Sequence, residues 1–234
     1  MELIDCLIKV GFTKHESVLY ITLCKKGALS GYEAAKLSGI PRSNAYLALA
    51  GLVDKGGAYR IESDVVKYVS VPPEEMTVNL RRQLEEVLKM IEYNTPDQNP
   101  VNELYITITG RLHIINKMKN MINESKERIY ISMSPVKLEL VKQEIESAIQ
   151  RGLKVVIITD PLYKVDGAII YHNKKQVIQV RLITDSTYVL TGELNENTNT
   201  TCLFSKNRNL VHLIKDSLTN EIELITIQNK RKIV

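Results

Sequence analysis

Apolar positions recur at helical spacing through the first ninety residues and mostly in short runs alternating with helices beyond them. Residues 3–10 (LIDCLIKV) form a short amphipathic helix ending at Gly11. Thr13, with Glu16 three residues on, is a capping box that opens a second helix. Its apolar Val18, Leu19, Ile21, Leu23 and Cys24 cover a broad face, and Lys25, Lys26 and Gly27 bring it to a stop. Ser30 with Glu33 is a second capping box, opening a short helix over Gly31–Ser38. Only Gly39 and Ile40 separate it from Pro41, where the next helix begins and runs to Lys55. Two helices joined by a tight Gly-containing turn are the helix-turn-helix signature. AYRIE and VVKYVSV, parted by Ser63-Asp64, read as a β-hairpin, and three helices followed by a hairpin are the plan of a winged helix.

Pro72-Pro73 breaks the chain ahead of a helix of about twenty residues. Met76, Leu80, Leu84, Val87 and Ile91 form a narrow apolar stripe on it, with Arg81, Arg82, Glu85, Glu86 and Lys89 between them. Such a stripe suits a coiled-coil seam better than a core helix, and at under three heptads it needs help from other surfaces. Residues 93–102 (YNTPDQNPVN) read as a linker. Beyond it, LYITITG is a strand, 111–127 a helix, RIYISMS a strand, 135–151 a helix and LKVVIITD a strand. An irregular stretch over 161–175 precedes the strands VIQVRLI, TYVLTGEL and TCLFS and a helix over about 208–220. The last residues, EIELITIQNKRKIV, fit a continued helix or a strand equally. Strands alternating with helices imply an α/β domain whose central strands are parallel.

Composition is that of an ordinary globular protein, 44% apolar and 25% charged, and the net charge of +4 permits nucleic-acid binding without demanding it. Residues 1–72 hold nine Lys/Arg against seven Asp/Glu, so no segment identifies DNA binding by charge alone. Cys6, Cys24 and Cys202 are widely spaced, and the first two, at apolar helical positions, read as buried free thiols. Without a disulfide framework, a signal-peptide core or an apolar run of membrane-spanning length, a soluble cytoplasmic protein is expected. No metal-ligand spacing, Gly-rich phosphate loop or other cofactor motif occurs.

At 100° per residue, Ala45, Ala48, Leu49 and Leu52 form the inward stripe of the helix after the turn. Its N-terminal residues Arg42, Ser43, Asn44, Tyr46 and Leu47 are then the ones placed to reach base edges in a major groove. The types fit, since Arg reads guanine, Asn adenine, and an apolar side chain a thymine methyl. Arg60 and Lys67, one on each wing strand, suit phosphate or minor-groove contact, and Tyr32 can donate to a phosphate or pack.

The run SGYEAAKLSGIPRSNAYLALAGLVDKGG, followed by VKYVSVPPEE, resembles the N-terminal domain of TrmB-type regulators. The matching positions are Gly39, Pro41, Arg42, Ser43, Tyr46, Leu49, Lys67, Tyr68, Pro72 and Pro73, over about residues 7–92. NESKERIYISMS and AIQRGLKVVIITD resemble the family's effector half, similar in fold to phospholipase D. The resemblance implies a transcription factor that pairs as a homodimer partly through Pro73–Asn94 and reads a pseudo-palindromic operator in double-stranded DNA. The fold class expected is an α+β winged helix-turn-helix (1–72), a dimerisation helix (73–94), a linker (95–102) and an α/β phospholipase-D-like domain lacking catalytic motifs (103–234).

Phospholipase D chemistry needs a His nucleophile two residues before a Lys and seven before an Asp. Counting back from Asp185, those positions hold Ile178 and Val180, both apolar. The literal His-x-Lys, His172-Asn173-Lys174, has Gln179 in the Asp position and reads as a polar turn. A sensing or dimerisation module without enzyme activity is therefore expected. A phospholipase-D-like nuclease with a DNA-targeting head, or an architectural protein that senses nothing, are the alternatives. Any small-molecule effector is expected at the C-terminal ends of the parallel strands, near 132–134 and 159–163.

Overall fold

A computed structural model describes residues 2–96, 105–161, 163–173, 177–195 and 200–230. The chain divides into two compact units, residues 1–99 and 100–234. Among the described residues no helix is long and apolar enough to cross a membrane. Residues 97–102 of the expected linker, residues 103 and 104, Lys174 and the last four residues lie outside those described.

The first unit runs α1 (Leu3–Lys9), α2 (Lys14–Lys26), β1 (Leu29–Ser30), α3 (Gly31–Ser38), α4 (Arg42–Asp54), β2 (Ala58–Ile61), β3 (Lys67–Ser70) and α5 (Pro73–Asn94). Both capping boxes form: Glu16 N–H donates to Thr13 Oγ1 at 3.2 Å while Thr13 N–H donates to the Glu16 carboxylate at 2.7 Å, and Ser30 and Glu33 repeat the exchange. Gly39, left-handed at φ 72°, makes the turn between α3 and α4. The hairpin pairs Ala58 with Ser70 and Ile61 with Lys67, and the two-residue β1 adds to β3. Ala45, Ala48, Leu49 and Leu52 face inward from α4 onto Leu19, Leu23 and Ala34.

The α2–α4 contact is close because Gly51 leaves room for Glu16. A Cβ at Gly51 would stand 2.4 Å from Glu16 Oε1. Glu16 is only 5% exposed and pairs with Lys55 Nζ at 2.7 Å. Burial pushes its carboxyl pKa up, but the Lys55 ammonium and the Thr13 N–H outweigh that and hold it below the ordinary carboxylate range.

Two expectations for this unit are corrected. Met76 is 5% exposed and sits in the winged-helix core, so it is not free for a seam between chains, and Leu80 packs half-buried beside it. The period of the stripe could not reveal this, because the first turns of α5 return onto the domain they leave. Cys24 is exposed and Cys6 half-buried, since both lie away from the inward faces of their helices.

The second unit runs β4 (Tyr105–Thr109), α6 (Arg111–Glu124), β5 (Arg128–Ser132), α7 (Pro135–Leu138), a 3-10 turn (Glu139–Val141) and α8 (Lys142–Gln150). It continues with β6 (Lys154–Thr159), β7 (Ile169–His172), β8 (Val180–Thr184), β9 (Tyr188–Gly192), β10 (Thr201–Ser205) and α9 (Arg208–Lys230). The seven strands order as β4-β10-β9-β8-β5-β6-β7. Only β5, β6 and β7 run parallel among the described residues, so the parallel part lies at one side of a mixed sheet rather than at its centre. Ile114, Met118, Ile122 and Ile145 from α6 and α8 cover one face over Ile129, Ile131 and Ile157. Val211, Leu218 and Ile225 of α9 cover the other over Ile158, Ile183 and Val189. The chain end is thus helical to Lys230, and β7 emerges from the stretch expected to be irregular.

Asp185 anchors the sheet at the turn between β8 and β9. It and Ser186 are left-handed, at φ 51° and 52°. The Asp185 carboxylate accepts the backbone N–H groups of Lys126, Glu127 and Arg128 at 2.9–3.0 Å and the Ser125 hydroxyl at 2.9 Å. Burial raises its pKa, yet these donors together hold it below the ordinary 3.8. Stability from a depressed carboxyl is present above the unfolded value and lost as pH falls through the folded one. Asp185→Asn keeps the shape and the tolerance of left-handed backbone, and should cost the α/β unit about 1–3 kcal/mol at neutral pH in urea denaturation. The gap from wild type should close as pH falls below 3.8. A gap that does not change with pH would show that the charge is not the anchor.

Candidate nucleic-acid interface

The helix α4 turns one face to the core and the other to solvent. Arg42, Ser43, Asn44, Tyr46 and Leu47 are all exposed, Leu47 at 74%. Unlike α2 and α3, α4 begins at Pro41 with no side-chain cap. Its first N–H groups and the positive end of its dipole are therefore left for an external acceptor.

Arg42 does not extend freely from this face. Its guanidinium carbon lies 5.4 Å from the centroid of the Tyr32 ring and 5.8 Å from that of Tyr46. Tyr46 is one helical turn on from Arg42, and Tyr32 comes from the start of α3, so the cation bridges the two helices of the motif. The Tyr46 ring in turn rests over Gly31, where a Cβ would approach its Cε1 to 2.5 Å. Gly31 was not singled out by sequence reasoning, and nothing in the local pattern marks it.

On the wing, Lys67 is exposed on β3 and stands opposite Ser30 of β1. Arg60 on β2 is exposed and makes a 3.3 Å ion pair with Glu62. Arg60 stands opposite Tyr68, and Lys67 opposite Ile61, so the two cations project from opposite faces of the hairpin. On α5 the stripe beyond the core is open: Leu84, Val87 and Ile91 are each more than half exposed. Leu88 and Met90, not anticipated, widen it.

In the α/β unit the positions that would carry the His and Lys of phosphodiester chemistry hold apolar side chains, and the acid is tied up elsewhere. Val180 is fully buried in the core, Ile178 is exposed, and Asp185 is spent on the four donors described. His172 ends β7 instead of lying in a turn, because it pairs with Thr159 of β6, and its Nδ1 faces the Asp160 carbonyl at 3.3 Å. Among the described residues no cluster of His, Cys, Asp and Glu is arranged to hold a metal ion. Cys202 is buried, its thiol pushed up to about 11 by that burial against the pull of nearby Lys137.

A polar cluster that the sequence did not disclose lies where the parallel strands end. Arg181 Nη2 donates to Ser132 Oγ at 2.8 Å and to Glu221 Oε2 at 2.6 Å, and Asn173 Nδ2 donates to Glu221 Oε1 at 2.6 Å. Arg181 Nε is buried without an acceptor among the described residues. Beside them is an open cavity of about 380 Å³ lined by Asn173, Val177, Ile178, Gln179, Arg181, Glu193 and Glu221. Of the residues expected near such a pocket, over 132–134 and 159–163, Ser132, Met133, Thr159 and Tyr163 are buried, Ser134 and Asp160 are half-buried and Pro161 is exposed, and none of them lines this cavity.

Residues 7–74 match the family model described as the sugar-specific transcriptional regulator TrmB, and residues 105–221 match the N-terminal subdomain of the TrmB effector-binding domain. The YrhO protein of Bacillus subtilis is 33% identical over 159 residues, which is 67% of this chain and 58% of that protein. The sugar-sensing transcriptional regulator TrmBL1 of Pyrococcus furiosus is 27% identical over 190 residues, 77% of this chain and 53% of that one. The chain thus spans somewhat over half the length of these curated relatives. A solved structure of TrmBL2, described as an archaeal chromatin protein, aligns with a TM-score of 0.49 at 20% identity, covering 94% of this chain and 97% of that one. With one family model matching half of the chain, another its winged helix, and YrhO a third identical across two thirds of it, the protein belongs to the TrmB family.

Proposed function

We propose that this protein is a homodimeric, sequence-specific regulator of transcription that binds double-stranded DNA. The observation that carries this reading is the exposed, uncapped N-terminal half of α4, which offers Arg42, Ser43, Asn44, Tyr46 and Leu47 together to a groove. Base edges are read by that half of the helix, while phosphates are held by the wing. A hairpin entering a groove edge-on presents Arg60 to one backbone and Lys67 to the other. The reading head carries little net charge, so two copies engaged at once supply the affinity that one lacks. Leu84, Val87, Leu88 and Ile91 are the surface on which the second copy pairs, and a pseudo-palindromic operator follows from the two-fold axis. Such a protein acts in the cytoplasm.

We read the α/β unit as a sensing module and not as an enzyme. Against a phosphodiesterase stand the buried Val180 and the fully engaged Asp185. The cavity beside Arg181 and Glu221 presents donors and acceptors in near balance, which suits a polar, uncharged small molecule as effector. The naming of TrmBL1 as sugar sensing supports an effector of some kind here.

Three measurements test this reading. In fluorescence anisotropy on a selected operator, Arg42→Ala should cost about 1–3 kcal/mol at its cognate base and relax preference there. Lys67→Ala should instead weaken all sequences alike and reduce the salt slope by about one; intact affinity in both variants would sink the interface. Leu84→Glu combined with Ile91→Glu should give monomers by analytical ultracentrifugation and lower operator affinity about 10²-fold or more. Dimers that persist would place the pairing surface elsewhere. In a thermal-shift screen of metabolites, one present at a hundred times its dissociation constant should add about 2.7 kcal/mol to the α/β unit. A Gln179→Leu, Glu193→Leu variant should lose that gain, and a gain left whole would remove the effector from this cavity.

A further inference from the structure

We infer that Tyr32 and Tyr46 do not contact DNA as hydrogen-bonding groups but act through Arg42, holding its guanidinium in the pose that reads a base. This rests on the DNA-binding reading of α4 and names the residues that set its specificity.

The geometry is that of a clasp. The Arg42 guanidinium lies within cation–π range of both rings, 5.4 Å from one and 5.8 Å from the other. Tyr46 shares Arg42's helix and face, whereas Tyr32 stands on α3 across the Gly39 turn. The rings therefore confine the cation from two elements at once. Both tyrosines are largely exposed, at 55% and 41%, and no side-chain hydrogen bond fixes either hydroxyl among the described residues, so the core does not need them. What the Tyr46 ring does require is the missing side chain at Gly31, since a Cβ there would meet its Cε1 at 2.5 Å.

The clasp answers a difficulty in the position of Arg42. It is the first residue of α4, where the helix dipole repels a cation and no cap draws the side chain to one place. An unrestrained Arg there would sample many rotamers and lose that freedom on binding. Two aromatic faces offset the repulsion and restrict the side chain in advance, so the bidentate fork is already aimed when a guanine arrives. A hydroxyl bonded to phosphate would contribute without regard to sequence; a brace on Arg42 contributes only where Arg42 reads.

The test separates ring from hydroxyl. Tyr32→Phe and Tyr46→Phe should bind the operator within twofold of wild type, whereas Tyr32→Ala and Tyr46→Ala should each weaken it about three- to tenfold. Discrimination should relax at the same base pair that Arg42→Ala affects, and the slope of log affinity against log salt should not change. In an Arg42→Ala background, the Tyr→Ala changes should have no further effect. Gly31→Ala, which keeps Arg42, Tyr32 and Tyr46 in the sequence but displaces the Tyr46 ring, should reproduce the Tyr46→Ala loss; circular dichroism melts verify that each variant is folded. If the Phe variants lose affinity as the Ala variants do, with the salt slope falling by about one, the tyrosines bind phosphate and the clasp is wrong. Tighter binding by Tyr32→Ala would likewise overturn it, by showing that the rings hold Arg42 away from DNA. A wild-type protein that binds no DNA takes down the proposed function and this inference together, whereas loss in Arg42→Ala with none in the Ala tyrosine variants takes down the clasp alone.

Discussion

The position of α4 depends on one close contact, the Glu16 carboxylate laid against Gly51. Glu16 has three tasks there: it closes the capping box of α2, pairs with Lys55 at the far end of α4, and occupies the space that a side chain at Gly51 would fill. A buried carboxylate is costly unless fully partnered, and here two donors on different elements meet that cost. The arrangement specifies one seating of α4, because sliding the helix by a residue would separate the charge from both Lys55 and the glycine. Ala45 and Ala48 on the same face let the backbones approach, so the exposed face of α4 is set by what is buried beneath it.

On the dimeric reading, a head so weakly charged owes its affinity to pairing. That gives α5 two roles along its length. Its first turns belong to the winged helix, with Met76 in the core and Leu80 against it, while Leu84, Val87 and Ile91 beyond them are each more than half exposed. Helix and head therefore move as one body up to Leu80, and on the dimeric reading the seam is joined to α4 without a hinge. In the α/β unit two charged side chains serve as structural anchors. The acid next to β8 now ties a turn to the loop before β5, and an arginine on the same strand ties α9 to the sheet.

The first unit was legible in its sequence because its signals are local. Thr13 and Glu16, Ser30 and Glu33, and Gly39 before Pro41 each fix a helix end within three or four residues. What escaped was whatever depends on partners distant in sequence. The strand β1 has two residues and exists only because β3 pairs with it, and β7 (IIYH) is too short to stand out in a polar stretch. The stripe on α5 has the right period throughout, but period alone does not say that Met76 faces its own domain. The expected helix over 135–151 has the periodicity of one helix, yet the chain tightens into a 3-10 turn at Glu139–Val141 before α8 resumes. Of the candidate interface, the exposed residues could be assigned from the helical period, whereas their mutual geometry could not. Arg42 and Tyr32 are ten positions apart and meet only because the turn folds α4 back across α3.

The absence of a joint between Met76 and Leu84 turns the length of that segment into an angle. Each residue added to a helix rotates everything beyond it by 100°. One residue inserted after Leu80 would thus swing the pairing stripe a quarter-turn around α5 with the winged helix left unchanged. Four inserted residues would bring it back to within about 40° of its starting azimuth, some 6 Å further along the axis. On the dimeric reading, the number of residues between core and seam acts as a phase setting. On that reading it determines which operators two copies of this chain can read together.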